Sequence, residues 1–86
     1  MSVYQIVFTA QAVEEAARLD SPMQKRVRSA IDAKLTTDPL RFGKPLRHAL
    51  AGARGLRVGD WRVVYTVREG TVYITALFHR SGGYEH

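Results

Sequence analysis

Two arginines flank a tight turn in the stretch "GLRVGDWRVVYTV", residues 55–67. With Gly59-Asp60 as a two-residue loop, the pattern predicts a hairpin in which Arg57 lies opposite Arg62. Like charges that face each other on a sheet cost about 0.2–1 kcal/mol. Guanidinium groups suit bidentate contacts with phosphate, so the pair indicates a site for a phosphate or an RNA backbone. The alternative is a structural role, in which the two arginines splay apart into water or pair with nearby acids.

The tail adds Arg80 and Tyr84, which are four residues apart. Gly82 and Gly83 between them permit a sharp turn back onto the sheet. Positive charge from Arg62 and Arg80 would favour the phenolate form of Tyr84. Tyr84 is therefore a candidate general base, or a platform on which a nucleotide base stacks.

Basic charge is concentrated in the middle of the chain. Thirteen Lys and Arg against eight Asp and Glu give a net charge of +5, and residues 41–57 contain no acid. A basic surface of this kind favours an anionic partner such as nucleic acid. The candidate RNA-binding residues are Lys44, Arg47, Arg54, Arg57 and His79.

Composition excludes several classes of protein. The 86 residues predict one domain, residues 1–86, and the absence of cysteine excludes disulfides, thiolate zinc sites and cysteine nucleophiles. No apolar run is long enough for a transmembrane helix, and no signal peptide is recognised. The spacing of His, Asp and Glu does not resemble a metal site. We therefore expect a cytoplasmic protein with no membrane partner and no metal.

The elements that position these residues follow from local patterns. Residues 3–8 predict a strand, and Thr9 caps a helix over residues 10–18. A second helix begins at Pro22 with Ser21 as its N-cap and Gln24 completing a capping box. Its apolar stripe has helical spacing and consists of Met23, Val27, Ala30, Ile31 and Leu35. The helix ends before Pro39.

Residues 39–52 form a connector with two prolines and two glycines, too long for a simple turn. The hairpin follows, then a turn at residues 68–70 and a last strand over residues 71–78. The fold class is α+β in the order β-α-α-β-β-β, with two N-terminal helices packed on one face of a mostly antiparallel four-stranded sheet. Strand alternation places Arg57 and Arg62 together on the other, bare face.

Three stretches in order, "DPLRFGKPLRHALAG", "LRVGDWRVVYTV" and "VYITALFHRSGGYE", resemble the RelE/ParE superfamily of bacterial toxins, on the RelE side. Each stretch alone is weak evidence for the family, but their order and spacing together are specific. The match spans nearly the whole chain. The resemblance implies a RelE-like fold. It also implies a toxin of a type II toxin–antitoxin system.

RelE-type relatives are ribosome-dependent mRNA interferases that cleave A-site codons by attack of the 2′-hydroxyl on phosphate, without metal or other cofactor. By resemblance, Arg62 would stabilise the pentacovalent phosphate. Arg80 would be the acid that protonates the leaving oxygen, or a second electrostatic clamp. Tyr84 would be the base, or would stack on the mRNA.

Two positions depart from the family pattern. The best-known relative has two lysines on the strand before the turn, where this chain has Ala53 and Gly55. Arg57, by strand parity, and Lys44 and Arg47, from the connector, are the candidate substitutes.

Two other functions remain open at this point: a ParE-like DNA gyrase inhibitor without RNase activity, and a nucleic-acid-binding module without catalysis. Retention of Arg62, Arg80 and Tyr84 favours the RelE side. The resemblance also implies several partners. These are a RelB-like antitoxin with an acidic, partly disordered segment, the mRNA and ribosomal A site, and operator DNA reached only through the antitoxin complex.

Overall fold

The computed structural model describes residues 3–82. Its strands are β1 (Gln5–Phe8), β2 (Lys44–Pro45), β3 (Arg54–Val58), β4 (Trp61–Arg68) and β5 (Thr71–His79). Its helices are α1 (Ala10–Ala17), α2 (Ser21–Ala30) and α3 (Pro39–Phe42), and α2 continues into a π-helical turn, Ile31–Leu35. Short 3₁₀ turns cover His48–Leu50 and Arg80–Gly82. Within the described range, no helix has the length and apolar character needed to cross a membrane.

The strands form one sheet in the order β1-β5-β4-β3-β2. β1 runs parallel to β5, and the other neighbours are antiparallel. The α+β class is confirmed, but the predicted count of four strands was wrong. The connector supplies a fifth, β2, which pairs Lys44 with Gly55 and Pro45 with Arg54. Proline is tolerated there because β2 is an edge strand.

The hydrophobic core lies between the helices and one face of the sheet. The predicted stripe of α2 is confirmed, since Val27, Ile31 and Leu35 are buried. The sheet contributes side chains from three neighbouring strands: Leu56, Val58, Val63, Tyr65, Val72, Ile74 and Leu77. Alternation is interrupted once, on β5, where a register shift opposite Val64 and Tyr65 separates Ile74 from Leu77. Because these side chains face the helices, the residues between them on β3 and β4 point to the opposite face of the sheet.

The start of α2 differs from the prediction. Asp20, not Ser21, is the N-cap, and its carboxylate accepts a hydrogen bond from the Met23 backbone N–H at 2.9 Å. Gln24 does not close a capping box, because its side chain donates to the Ala16 carbonyl at 2.9 Å. Asp and Ser are comparable N-caps, so two adjacent candidates leave the boundary ambiguous by one residue.

The far half of β5 has no strand on its outer side, because β1 ends at Phe8, opposite Ile74. The Leu77 backbone N–H donates instead to Glu15 Oε1 of α1 at 2.7 Å. A side-chain carboxylate thus satisfies a backbone donor that would otherwise lack a partner. The end of β5 that leads into Arg80 is held in this way.

The second face of the sheet is less bare than predicted. Val64 and Ala76 lie on it and are nevertheless buried. Leu46 of the connector lies close to Gly55 on the same face. The connector therefore covers part of this face and leaves the end near the hairpin turn open.

Candidate functional site

The hairpin has the predicted geometry. Val58 pairs with Trp61, and Arg57 pairs with Arg62. Gly59 in the turn has a φ of +60°, a conformation that residues with a Cβ rarely adopt. The two-residue turn therefore fixes the register that places both arginines on one face.

Arg80 reaches the same turn from the end of β5. Trp61 pairs with His79, and the backbone N–H of Arg80 donates to the Asp60 carbonyl at 2.8 Å. The Arg80 Nε lies 3.9 Å from Asp60 Oδ1, but both side chains are well exposed, at 80% and 64%. An exposed pair at this distance contributes little to stability, so Arg80 is positioned mainly by its backbone.

A cavity of about 240 Å³ opens beside the turn. Three of its lining residues are arginines, namely Arg57, Arg62 and Arg80, and of the described lining residues only Asp60 is acidic. The cavity is therefore positively charged. Guanidinium groups arranged around such a space can bind phosphate oxygens and stabilise charge that develops on them.

A second cavity, of about 390 Å³, shares part of its lining with the first. Its basic lining residues are Lys34, Lys44, Arg57 and Arg62. Arg57 and Arg62 line both cavities and join them into one basic surface. We call this surface, carried by Lys44, Arg57, Arg62 and Arg80, the arginine face.

Gly55 makes room for Arg62. A Cβ at residue 55 would lie 3.0 Å from Arg62 Cδ and 3.1 Å from Leu46 Cδ2. The aliphatic part of Arg62 therefore lies across β3 in the space that a larger residue would occupy. The space that Gly55 leaves on this face is thus filled by Arg62 itself.

Arg54 and His79 lie elsewhere. Arg54 alternates with Leu56 and Val58 and pairs with Tyr65, so it faces the helices. His79 pairs with Trp61 on that same side, and the two rings make an edge contact at 5.3 Å. Because neither side chain shares the arginine face, we remove both from the candidate RNA surface.

One other candidate is not brought to the cavities, and another cannot be located on the described part of the chain. Arg47 is exposed in the connector and lines neither of them. Tyr84 lies outside the described residues, so its predicted role stays a prediction.

Two basic residues near the site escaped the sequence analysis. Lys34, in the π-helical turn, lines the second cavity. The guanidinium of Arg26, in α2, lies against the hairpin turn, 3.0–3.4 Å from where a Cβ of Gly59 would be. Helical periodicity marks both as surface residues, but only the packing of the helices on the sheet brings them near the hairpin. Among residues 3–82, no group of three His, Asp or Glu side chains is arranged to hold a metal ion.

The chain is similar to known toxins of toxin–antitoxin systems. A family model described as "ParE toxin of type II toxin-antitoxin system, parDE" matches residues 6–84. Toxin RelE of Mycobacterium tuberculosis is 35% identical over 83 residues, which cover 94% of this chain and 86% of that protein. Toxin RelG of the same organism is 34% identical, with coverages of 94% and 95%.

Two solved toxin structures are also similar to this chain. A chain of the toxin–antitoxin complex RelBE2 from Mycobacterium tuberculosis superposes with a TM-score of 0.85 at 33% identity, covering 95% of this chain and 97% of that one. The isolated Escherichia coli RelE toxin has a TM-score of 0.73 at 16% identity, covering 88% of this chain and 83% of that one, and supports the fold alone. The chain belongs to the RelE/ParE superfamily of type II toxin–antitoxin toxins.

Proposed function

We propose that this toxin is a RelE-type RNA endonuclease that cleaves mRNA in the ribosomal A site. The observation that carries the proposal is the cavity lined by Arg57, Arg62 and Arg80. Positive charge concentrated at one point suits a reaction in which negative charge builds up on a phosphate. The names of the two similar mycobacterial toxins favour the same side of the superfamily.

In the proposed reaction, the 2′-oxygen of a nucleotide attacks the adjacent phosphorus and the bond to the 5′-oxygen breaks. The products are a 2′,3′-cyclic phosphate and a 5′-hydroxyl. A base removes the proton from the 2′-oxygen, and the leaving 5′-oxygen takes up a proton. Arg62 stabilises the pentacovalent phosphate. Arg80 is the second clamp, because a guanidinium does not readily give up its proton. Tyr84 is the proposed base or stacking residue.

The proposed partner in the resting cell is a RelB-like antitoxin. The similar mycobacterial chain and the more distant toxins of Pyrococcus horikoshii and Methanococcus jannaschii were solved as toxin–antitoxin complexes. The net charge of +5 favours an acidic segment on that partner. We further propose that the toxin acts in the cytoplasm and reaches operator DNA only through the antitoxin complex.

The test is cleavage of a defined mRNA on programmed ribosomes, with the cut positions mapped by primer extension. We expect cuts within the A-site codon and a cyclic phosphate at the new 3′ end. The second candidate is gyrase inhibition, favoured by the ParE description of the matching family model. Intact mRNA together with blocked supercoiling by DNA gyrase would replace the first proposal with the second. RNA binding with neither effect would indicate a module without catalysis.

The Gly55→Ala variant tests whether a small displacement of Arg62 lowers cleavage while the stability of the fold stays nearly unchanged. The new Cβ would push against flexible side-chain atoms of Arg62 and Leu46, so we expect the unfolding free energy to change by less than about 1 kcal/mol. Cleavage should fall about tenfold or more, because small displacements of a group that contacts the reacting atoms are costly. Chemical denaturation and the ribosome assay on one preparation measure both effects, and full activity would show that the position of Arg62 is not critical.

A further inference from the structure

The segment that carries Lys44 is held by two side chains from the sheet. The Tyr65 hydroxyl donates to the Pro39 carbonyl at 2.6 Å. Arg54 Nη2 donates to the Leu40 carbonyl at 2.7 Å and to the Gly43 carbonyl at 2.5 Å. Three carbonyl groups of α3 and the residue after it are thus fixed to β3 and β4.

The contact runs from the interior to the surface: the Tyr65 hydrogen bond is buried, and the Arg54 hydrogen bonds are partly buried or exposed. Tyr65 is fully buried, and Arg54 is half-buried, with a buried Nε that has no hydrogen-bond partner within residues 3–82. Burial raises the pKa of Tyr65 above its ordinary value of 10.0, although Arg54 and the Gly43 backbone act to lower it. The hydroxyl therefore remains protonated, and so remains a donor, at neutral pH.

The bonded carbonyls lie next to Lys44 in the chain. Gly43 directly precedes Lys44, and Lys44 pairs with Gly55 at the edge of the sheet. Residues that pair across strands share a face, so Lys44 lies on the same side as Arg57 and Arg62. Arg54 lies on the opposite side, and any effect it has on the arginine face must pass through the backbone.

We propose that Arg54 is a positioning residue. By holding the Leu40 and Gly43 carbonyls, it fixes β2 so that Lys44 binds the RNA phosphate backbone beside Arg57 and Arg62. This inference rests on the proposed RNA-cleaving function and adds a device that the cavity alone does not reveal. The Arg54 guanidinium then binds carbonyl groups of this chain and does not contact the RNA.

A double-mutant cycle tests the inference. Lys44→Ala, Arg54→Met and the double variant are assayed for mRNA cleavage on programmed ribosomes, and Arg68→Met serves as the control at the far end of β4. We expect each single variant to raise KM about fivefold with kcat little changed, because phosphate contacts away from the reacting atoms bind ground and transition states alike. The double variant should be no worse than the poorer single variant.

Losses that multiply in the double variant would show that Arg54 acts independently of Lys44 and would overturn the inference. A Lys44→Ala variant with normal KM would overturn it too. The same cycle is also measured on the Kd of a single-stranded RNA oligonucleotide. If the wild type does not cleave mRNA, the proposed function fails, and the inference stands or falls on coupling in the Kd cycle.

A purely structural role of Arg54 would lower stability without this coupling. Circular dichroism melts define the temperature range in which all variants are folded. If Arg54→Met does not fold, Arg54→Lys replaces it, because lysine keeps the positive charge but lacks the planar guanidinium that binds the Leu40 and Gly43 carbonyls. The expected and contradicting results are then the same.

Discussion

Arg62→Ala should abolish growth inhibition when the toxin is expressed and reduce mRNA cleavage about 10²–10³-fold, the typical loss when one group that stabilises transition-state charge is removed. Arg62 lines both cavities of the arginine face and lies between Gly55 and the hairpin turn. Arg57 also lines both cavities, but it is Arg62 whose side chain lies across Gly55. The effect should fall mainly on kcat, because the charge that Arg62 meets is greatest in the transition state.

The fold should survive this substitution. Arg62 is not part of the buried core, and its register partner Arg57 carries the same charge. Removing one member of a like-charged pair should leave the melting temperature unchanged or slightly higher. Arg68→Ala on the same strand is the matched control, because it removes an equal charge far from the cavities. An Arg62→Ala protein that remains as toxic as the wild type would refute the proposed role of this residue.

Gly43→Ala should give the largest loss of stability, about 1–3 kcal/mol, the usual cost of overpacking. Gly43 has φ −86° and ψ 163°, which any residue adopts, so backbone strain is not the reason. A Cβ there would overlap the Tyr65 hydroxyl oxygen and lie 2.7 Å from its Cζ atom. For a domain of this size, each kcal/mol lowers the melting temperature by about 4–8 °C.

Tyr65→Phe supplies the check on that explanation. Alone it removes the hydrogen bond to Pro39 and should cost about 1 kcal/mol. In the Tyr65→Phe background, Gly43→Ala should cost less than in the wild type, because the closest overlap has been removed. Urea titrations of the four proteins measure this difference. Simple additivity of the two losses would show that the clash with the hydroxyl is not the cause.

The sequence predicted the part of the site whose geometry is determined by residues that are close together in the chain. A two-residue loop sets the register of the hairpin, so the pairing of Arg57 with Arg62 follows from residues 55–67 alone. Arg54 shows the opposite case. Its charge suggested RNA, whereas its alternation with Leu56 and Val58 already placed it on the buried face. Strand parity was the more reliable signal, because it reports which residues share a face, and net charge does not.

Other features depended on contacts between distant segments. Lys34 and Arg26 reach the site only because α2 and its π-helical turn pack across the sheet. β2 has two residues, one of them proline, and no local pattern distinguishes so short an edge strand from a loop. The helices and the strands of the core were predictable because the apolar residues of each recur at the spacing typical of a helix or of a strand.

The place of Gly55 beneath Arg62 has an evolutionary consequence. A larger side chain at residue 55 would press on the present path of Arg62, because a Cβ there already lies 3.0 Å from Arg62 Cδ. We therefore expect a lineage that gains a lysine at this position to shift the arginine as well. Chains of this superfamily should accordingly divide into two groups, one with a small residue here and an arginine lying across it, the other with a lysine and an arginine turned elsewhere.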